Sequence, residues 1–513
     1  MDFHTSPLYQ IFQVASSYAQ SPASLQSDVT AFLEDQWRTH PHHIIIEILF
    51  ILFLIYFWMV PLHKAKSRPI ADPPTSRERA EMIQEFKSEQ FRVDHERDST
   101  YCEETAIGHM VVTKRDPTHL FLTNRKGASN DVNRCMDFAT FDFHSLGVNE
   151  DVLEVAREAV RVYGVGSCGP RGFYGTVKPH LQIENDISDF LGVESTAIIS
   201  YNFATISTII PAYSSRGDYL LVDASCHLPI QQGAKLSRSN TEYFRHNDMI
   251  DLEEHMISVV RKDKKKKTIS RRYVVTEGVF RNTGEIAHLK MIVDLCTKHK
   301  FRLILDDSLG FGVLGKTGRG TPEHFGIPTS SICLYLGSLG NSLGGIGGFC
   351  CGTKPIIDFQ RLQSTGYVFS ASLAPYITAC CSAALAIIDA DASSFPNAAV
   401  SNSVAFRREI KKHKLSPLIE MVDADEDASP LVHFRPVSTQ LATNNNRCCD
   451  RLFDNVVAEM LDRNYAIRRS MYNCEERMDV TPTLRVVIKS AISEDETTRF
   501  AKVLVGVLNS VFQ

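Results

Sequence analysis

Acidic side chains stand at the ends of several short apolar runs in this chain. Asp223, Glu277 and Asp306 each follow a segment rich in β-branched and aliphatic residues, which is typical of a buried strand. The carboxyl ends of parallel strands meet along one edge of a sheet, and ligands bind at that edge in open α/β sheets. These three positions therefore predict a polar ligand site.

The segments that must position these acids follow an α/β pattern. Buried strands are predicted at 197–200, 219–223, 273–276 and 303–306, with helix-like segments between them. Alternation at this spacing predicts a mostly parallel sheet that is covered on both faces. From residue 399 the pattern changes, which indicates a smaller C-terminal α+β domain.

Two loops resemble those of the α-oxoamine synthases, which are fold-type I (aspartate-aminotransferase-like) pyridoxal-phosphate transferases. One loop spans 338–348, and the other begins at Asp306 and ends at 318–320. Asp306 matches the carboxylate that pairs with the cofactor ring nitrogen, which keeps the ring an electron sink for carbanion chemistry. His227 matches the histidine that stacks on the ring. Arg485 matches the arginine that binds the amino-acid carboxylate, a role that suits a bidentate guanidinium.

Two positions depart from the pattern of family members that catalyse alone. Asn341 stands where those members have the Schiff-base lysine, and Leu309 stands where they have a histidine. An amide cannot form a Schiff base, because its nitrogen lone pair is delocalised into the carbonyl group. We therefore expect no catalytic residue in this chain, and we expect pyridoxal 5'-phosphate to be bound covalently by a partner subunit.

The segment 164–176 resembles a branch of the family whose members lack the lysine and work beside a lysine-bearing subunit. The resemblance implies that this loop lies near a shared active site. Its residues Cys168, Arg171 and Tyr174 are candidates for contacts with substrate or partner, and Arg171 is a candidate anion ligand. Nothing in the sequence supplies a base for Cys168, so a packing role is favoured over a nucleophilic one.

The segment 367–375 resembles the part of this branch that reaches across the dimer interface. Ser370 and Ser372 are therefore expected to hydrogen-bond the phosphate of the cofactor held by the other subunit. The resemblance covers roughly residues 95–513. It depends on many blocks in the correct order and not on any single motif.

The resemblance implies condensation of L-serine with palmitoyl-CoA to 3-ketosphinganine, with release of CoA and CO2. The expected partners are a lysine-bearing subunit in a heterodimer and small regulatory membrane subunits. Three alternatives stay open. They are an active homodimeric synthase that uses another lysine, such as Lys316 or Lys354, a membrane scaffold or regulator on a retired transferase fold, and a sensor that binds the cofactor non-covalently.

The composition is that of a globular protein with reduced thiols. The 55 lysine and arginine residues against 60 acidic residues give a net charge of −5, which gives no reason to expect nucleic-acid binding. The chain has 13 cysteines without the CxxC spacing of zinc sites, as expected for a cytosolic domain. His4, His40, His42 and His43 lack a defined ligand geometry, so we expect no metal site.

Residues 44–60 are predicted to form a transmembrane helix. The run contains one charged residue, Glu47, and is close to the minimum length for spanning a bilayer. Lys64, Lys66 and Arg68 follow it, so the positive-inside rule places the C-terminal side in the cytosol. The resemblance implies that the membrane is that of the endoplasmic reticulum. A helix that enters one leaflet only is the alternative.

The predicted organisation has five parts, in which the membrane segment precedes two transferase domains. Pro69, Pro73 and Pro74 mark a linker after the apolar run. The parts are a lumenal segment at 1–43, the transmembrane helix at 44–60, a linker and N-terminal arm at 61–134, a large transferase-like domain at 135–395 and a small domain at 396–513.

Overall fold

The computed structural model divides the chain into two compact units, Met1–Asp94 and His95–Gln513. In the first unit, helix α1 (Pro41–Met59) covers most of the predicted membrane segment, and its residues Leu49 and Phe50 are exposed. No helix within the described residues is both long enough and apolar enough to cross a bilayer. Most of 1–43 and 61–134 lies outside those residues. The structure describes residues 34–35, 37–39, 41–59, 110–124, 132–264, 270–422, 429–437, 446–471 and 482–513.

The strands of the second unit form three sheets in the part of the chain that the structure describes. In chain order they are β1 (Met110–Arg115), β2 (His119–Asn124), β3 (Asn133–Asp137), β4 (Ser195–Ile199), β5 (Tyr219–Asp223), β6 (Asn240–Phe244), β7 (Arg272–Glu277), β8 (Arg302–Asp306), β9 (Leu334–Ser338), β10 (Gly348–Gly352), β11 (Ile419–Met421), β12 (Leu431–Pro436), β13 (Tyr465–Ala466), β14 (Arg468–Arg469) and β15 (Leu484–Val487).

The seven-stranded sheet has the order β4-β10-β9-β8-β7-β5-β6. Strands β5 to β9 pair in parallel, whereas β10 runs antiparallel to both β4 and β9. The prediction of a mostly parallel α/β sheet is therefore confirmed, with β10 as the exception. The other sheets have the orders β1-β2-β3-β13 and β11-β12-β15-β14.

Helices connect and cover these strands. Residue types at their ends explain where several of them begin, since Asn149 accepts hydrogen bonds from the backbone of Asp151 and Val152, and Ser493 forms a capping box with Glu496. In chain order they are α2 (Glu150–Tyr163), α3 (Lys178–Leu191), α4 (Asn202–Tyr213), α5 (Leu228–Ser237), α6 (Met249–Lys264), α7 (Leu289–His299), α8 (Thr321–His324), α9 (Lys354–Gln363), α10 (Thr365–Val368), α11 (Pro375–Ala390), α12 (Pro396–Lys412), α13 (Asn446–Asp462) and α14 (Glu494–Val511).

Two large apolar cores lie within the second unit. One surrounds the seven-stranded sheet, and the other joins the strands β1–β3 to the C-terminal elements. Phe138 stacks on Phe500 with 3.8 Å between ring centroids, and Cys135 is buried in the same core. These two residues follow the predicted boundary at 134 but pack with the C-terminal region. The other predicted domain boundaries stay predictions.

Candidate functional site

Three buried side chains meet at the carboxyl edge of the seven-stranded sheet. Glu277 ends β7, Asp306 ends β8, and His227 precedes α5. Glu277 Oε2 lies 2.8 Å from His227 Nδ1, and Asp306 Oδ2 lies 3.2 Å from His227 Nε2. The backbone N–H of His227 also donates to Glu277 Oε1 at 2.8 Å. The structure thus brings His227 and Asp306 together and adds Glu277, which sequence reasoning placed only at a strand end.

His227 lies between two carboxylates. Burial opposes the charge on its ring, but the carboxylates of Glu277 and Asp306 outweigh that effect and raise its pKa. Burial raises the pKa of Asp306, and the imidazolium acts in the opposite direction. Asp306 Oδ1 accepts hydrogen bonds from the backbone and hydroxyl of Ser308 at 3.0 and 2.6 Å. These contacts fix the carboxylate and leave Oδ2 directed at the imidazole.

Asn341 lies in the turn after β9, close to the strand end that carries Asp306. Its side chain is 8% exposed, and its Nδ2 donates to the carbonyl oxygen of Ser308 at 2.7 Å. The backbone carbonyl oxygen of Asn341 accepts a hydrogen bond from the backbone N–H of Phe143 at 2.9 Å. The turn also requires Gly344, whose φ is +69° and whose added Cβ would lie 2.3 Å from the backbone nitrogen of Gly147. The turn therefore supplies a fixed amide and no amine.

The residues at this strand edge fit part of what pyridoxal phosphate needs. Asp306 Oδ2 and His227 Nε2 are buried and make no hydrogen bond of good geometry within the described residues. A carboxylate oxygen in that state suits a protonated ring nitrogen, and an imidazole held through Nδ1 suits a stacking role. Because Asn341 offers no amine, the residues fit recognition of the ring but not a covalent bond to it.

A single metal ion does not fit the same three groups, although their ligand atoms lie within 4.8 Å of one another. Glu277 faces Nδ1 of His227, and Asp306 faces Nε2. The two nitrogens of an imidazole point in different directions, so one ion cannot bind the ring and both carboxylates. The geometry favours a proton-sharing group over a metal centre.

Arg485 lies in a cationic corner of the small sheet. It is directly opposite His433 in the β12–β15 pair, and its guanidinium is 4.3 Å from the centre of the Phe141 ring. Arg281 lies 4.5 Å from the centre of the same ring. Burial, and then the charge of Arg485, lower the pKa of His433 to about 3. Such a corner suits an anion, and Phe141 and Arg281 are members that the sequence motifs did not identify.

The loop 164–176 is exposed where it carries Cys168 and Tyr174. Cys168 has a φ of +60°, and the side chain of Tyr174 is 76% exposed. Arg171 differs from these two residues, since its side chain is buried and donates to both oxygens of Glu184 at 2.8 and 3.0 Å. Glu184 thus holds the guanidinium within the chain, and the role of Arg171 toward an external anion stays a prediction.

Ser370 and Ser372 lie on a half-buried segment beside this loop. The hydroxyl of Ser372 donates to the carbonyl oxygen of Gly169 at 2.8 Å, and its backbone N–H donates to the same oxygen at 2.9 Å. The hydroxyl of Ser370 donates to the carbonyl oxygen of Gly366. Both hydroxyl groups keep acceptor capacity. Their role toward a partner's phosphate stays a prediction.

A second histidine near the strand edge makes stability depend on pH. His246 lies 2.9 Å from Asp223 and 3.0 Å from Glu285; burial opposes its charge, but these carboxylates raise its pKa to about 9. The folded state therefore binds a proton more tightly than the unfolded state. This contribution to stability, on the order of 3 kcal/mol, is complete below about pH 6.5. It is lost as the pH rises through about 9.

His246→Gln should therefore flatten the decrease in unfolding free energy between pH 6.5 and 9. Chemical denaturation of the purified chain at both pH values measures this slope. His413→Gln, which removes a more exposed histidine, should keep the wild-type slope. An unchanged slope in His246→Gln would show that the two carboxylates do not hold the proton.

Known proteins share this fold. Residues 133–504 match the family model for aminotransferase class I and II. The serine palmitoyltransferase of S. paucimobilis, solved with a bound PLP-myriocin aldimine, gives a TM-score of 0.69 at 21% identity over 81% of this chain and 96% of that chain. The 8-amino-7-oxononanoate synthase of Francisella tularensis gives 0.57 at 20% identity over 72% and 97%. The chain belongs to the class I and II aminotransferase family.

Curated relatives place the chain within that class. It is 33% identical over 395 residues to serine palmitoyltransferase 1 of Dictyostelium discoideum, which covers 77% of this chain and 80% of the relative. It is 45% identical over 254 residues to long chain base biosynthesis protein 1 of Arabidopsis thaliana, which covers 50% and 52%. Its relatives are thus proteins named serine palmitoyltransferase 1 or long chain base biosynthesis protein 1, and the resemblance inferred from sequence is confirmed.

Proposed function

We propose that this chain is the lysine-lacking subunit of a serine palmitoyltransferase. With a lysine-bearing partner it would condense L-serine with palmitoyl-CoA to 3-ketosphinganine, releasing CoA and CO2. The observation that carries the proposal is the position of Asn341. Its buried amide is hydrogen-bonded to Ser308 at the sheet edge where Asp306 and His227 meet. Asp306 and His227 fit recognition of a pyridoxal ring, whereas the amine for a covalent bond to it is missing at Asn341.

The partner subunit would hold the cofactor, and this chain would complete the site around it. Pyridoxal phosphate supplies an electron sink for the carbanion that attacks the acyl-CoA. In this chain, Ser370 and Ser372 would donate to its phosphate once their hydroxyl protons turn away from the carbonyl oxygens of Gly366 and Gly169. Cys168 and Tyr174 would line the shared cavity. Arg485 would orient a carboxylate through its guanidinium. Small regulatory membrane subunits are further expected partners.

Exposed apolar side chains support a partner at this face. Val165 is 77% exposed, Phe173 69%, Tyr174 76% and Phe369 77%. The bonds of Ser372 to Gly169 tie together the two segments that carry these side chains. Aromatic residues that are exposed in one chain are typical of a surface that another protein covers.

The lysines considered as substitutes for the missing one have exposed side chains. Lys316 is exposed in the loop after β8. The side chain of Lys354 is 71% exposed and lies 3.4 Å from Asp358. Asp306, in contrast, is buried, so a ring bound to it is not within reach of a solvent-directed amine without rearrangement. This disfavours an active homodimer. The scaffold alternative differs from our proposal in that synthase activity would not depend on this chain.

The test is 3-ketosphinganine synthesis from serine and palmitoyl-CoA. The purified chain should be inactive alone and active after co-expression with a lysine-bearing long-chain-base subunit that is itself inactive alone. Activity of the isolated chain would contradict the assignment of Asn341. A partner that is equally active without this chain would favour the scaffold alternative.

Asn341→Lys should not by itself create an active homodimer. The new amine would lose the hydrogen bond to Ser308, and Leu309 still occupies the position of the family's histidine. We expect less than about 1% of the activity of the paired enzyme, since a misplaced group of this kind costs roughly 100-fold or more. Borohydride reduction followed by peptide mass spectrometry would detect covalent cofactor independently of turnover. Full activity of this variant without partner would contradict the proposal.

Attachment to the endoplasmic reticulum membrane, with the main unit in the cytosol, is the remaining part of the proposal. It is supported by the apolar run 44–60 and by the exposure of Leu49, Phe50 and Phe53 on α1. Alkaline extraction of membranes tests attachment, and a glycosylation site introduced before residue 40 tests whether the run crosses. Release of the chain by alkali would contradict attachment, and an unmodified site would favour a helix in one leaflet.

A further inference from the structure

Glu184 is a buried carboxylate beneath the exposed loop 164–176. Its residue is 5% exposed, and its Oε1 accepts from Arg171 Nη1 at 2.8 Å and from the backbone N–H of Ile198 at 3.1 Å. Its Oε2 accepts from Arg171 Nη2 at 3.0 Å and lies 3.7 Å from Arg361 Nη2. One side chain on α3 thus joins the first strand of the large sheet to the loop.

Hydrogen bonds join Arg171 and Thr176, the two ends of a short bend. Its Nε donates to the hydroxyl of Thr176 at 3.0 Å, and that hydroxyl donates back to the carbonyl oxygen of Arg171 at 2.8 Å. The guanidinium also lies 5.6 Å from the centre of the Tyr367 ring. Because all three nitrogens of the guanidinium have partners within the chain, its orientation leaves little freedom to the residues between 171 and 176.

The bend presents exposed aromatic groups and no buried ones. Phe173 and Tyr174 are 69% and 76% exposed, so they contribute little to the core of the isolated chain. A buried, bidentate and charge-assisted pair fixes the geometry of the groups that it joins, and removal of one partner is costly. The Arg171–Glu184 pair therefore matters mainly for a contact between the bend 171–176 and another molecule.

We propose that Glu184, through Arg171, is a positioning residue for catalysis by the paired enzyme. It sets the bend 171–176 in the geometry that the partner's active site requires. The inference depends on the proposed function, because the bend is expected to face the partner. Glu184 itself does not touch substrate.

The test separates stability from activity with Glu184→Gln, Arg171→Gln and the double variant, each co-purified with the lysine-bearing subunit. Glu184→Gln leaves a buried guanidinium without its carboxylate, and we expect the melting temperature of the complex to fall by roughly 5–10 °C. The double variant removes both charges of the Arg171–Glu184 pair. Arg361 keeps its contact with Asp358 at 2.7 Å, so the variant should recover most of that loss. Its activity should nevertheless stay at least about tenfold below wild type, since small misplacements cost that much.

A merely structural role would restore activity together with stability, and that result would overturn the inference. Thr176→Val is a second test if the double variant does not fold. It removes the hydroxyl that binds Arg171 Nε, and Thr176 is an exposed residue. We expect it to lose about threefold in activity at an unchanged melting temperature, and full activity would also count against the inference. Arg435→Gln with Glu420→Gln, an exposed pair at 2.6 Å, is the matched control and should leave both quantities unchanged.

The outcomes also separate this inference from the proposed function. An inactive wild-type pair would reject both. An active wild-type pair with an equally active double variant would reject only the positioning role of Glu184. An active wild-type pair with a stable, poorly active double variant would support both.

Discussion

Gly175→Ala should reduce the activity of the paired enzyme at least about tenfold, because it cannot be accommodated where two segments meet. A Cβ at this position would lie 1.8 Å from the carbonyl oxygen of Gly169 and 2.5 Å from the hydroxyl oxygen of Ser372. Contacts of that length do not occur, so the backbone must move, at a cost of roughly 1–3 kcal/mol. The movement separates the bend that carries Tyr174 from the segment that carries Ser370.

The loop supplies a matched control. Gly172→Ala adds the same methyl group three residues away, where nothing lies within 4 Å of the new Cβ. This variant should keep nearly full activity. Rates of 3-ketosphinganine formation, with the amount of partner retained on a tagged subunit, separate a fault in assembly from a fault in the active site. Equal activity of the two variants would show that the contact between the loop and the Ser372 segment is not needed.

Local sequence patterns were sufficient for the strands that build the site. The predicted strands at 219–223 and 303–306 are β5 and most of β8, because fully buried strands read as continuous apolar runs. The acids at their ends could be located for the same reason. Glu277 was identified at a strand end. Its hydrogen bond to His227 joins residues 50 positions apart in the chain, and no local sequence pattern indicates it.

The contacts that the sequence did not predict have a common physical cause. Arg171 is paired with Glu184, which has no pattern in sequence that distinguishes it from other acids on α3. The antiparallel strand β10 and the packing of Phe138 with the C-terminal core were also not predicted. Each depends on contacts between different elements, whereas periodicity reports only which face of a segment is apolar.

Lys489 is a buried cation whose contacts are structural. Lys489 is 1% exposed, which is unusual for lysine. Its Nζ lies 2.5 Å from Asp137 Oδ2 and 2.8 Å from the hydroxyl of Thr140. The ammonium thus joins the end of β3 to the residues after β15, and a structural role follows from these contacts.

Lys489→Met should lower the free energy of unfolding by about 3–5 kcal/mol, because it leaves Asp137 as a buried carboxylate without its cation. Backbone N–H groups of Ala139 and Thr140 still donate to Asp137 at 3.0 Å, but they do not neutralise its charge. Chemical denaturation of the purified chain measures the loss. Lys502→Met, which removes a lysine that is 59% exposed and 3.9 Å from Glu409, should cost less than about 1 kcal/mol.

The double variant Asp137→Asn with Lys489→Met tests the cause of that loss. With both charges removed, the amide can still accept from the backbone of Ala139, and methionine fills a similar volume, so at least half of the lost stability should return. A double variant as unstable as Lys489→Met would mean that packing of the lysine stem, and not its charge, maintains the contact. The paired enzyme should keep its activity wherever this double variant is folded, because Lys489 holds two segments together and offers no amine to the cofactor.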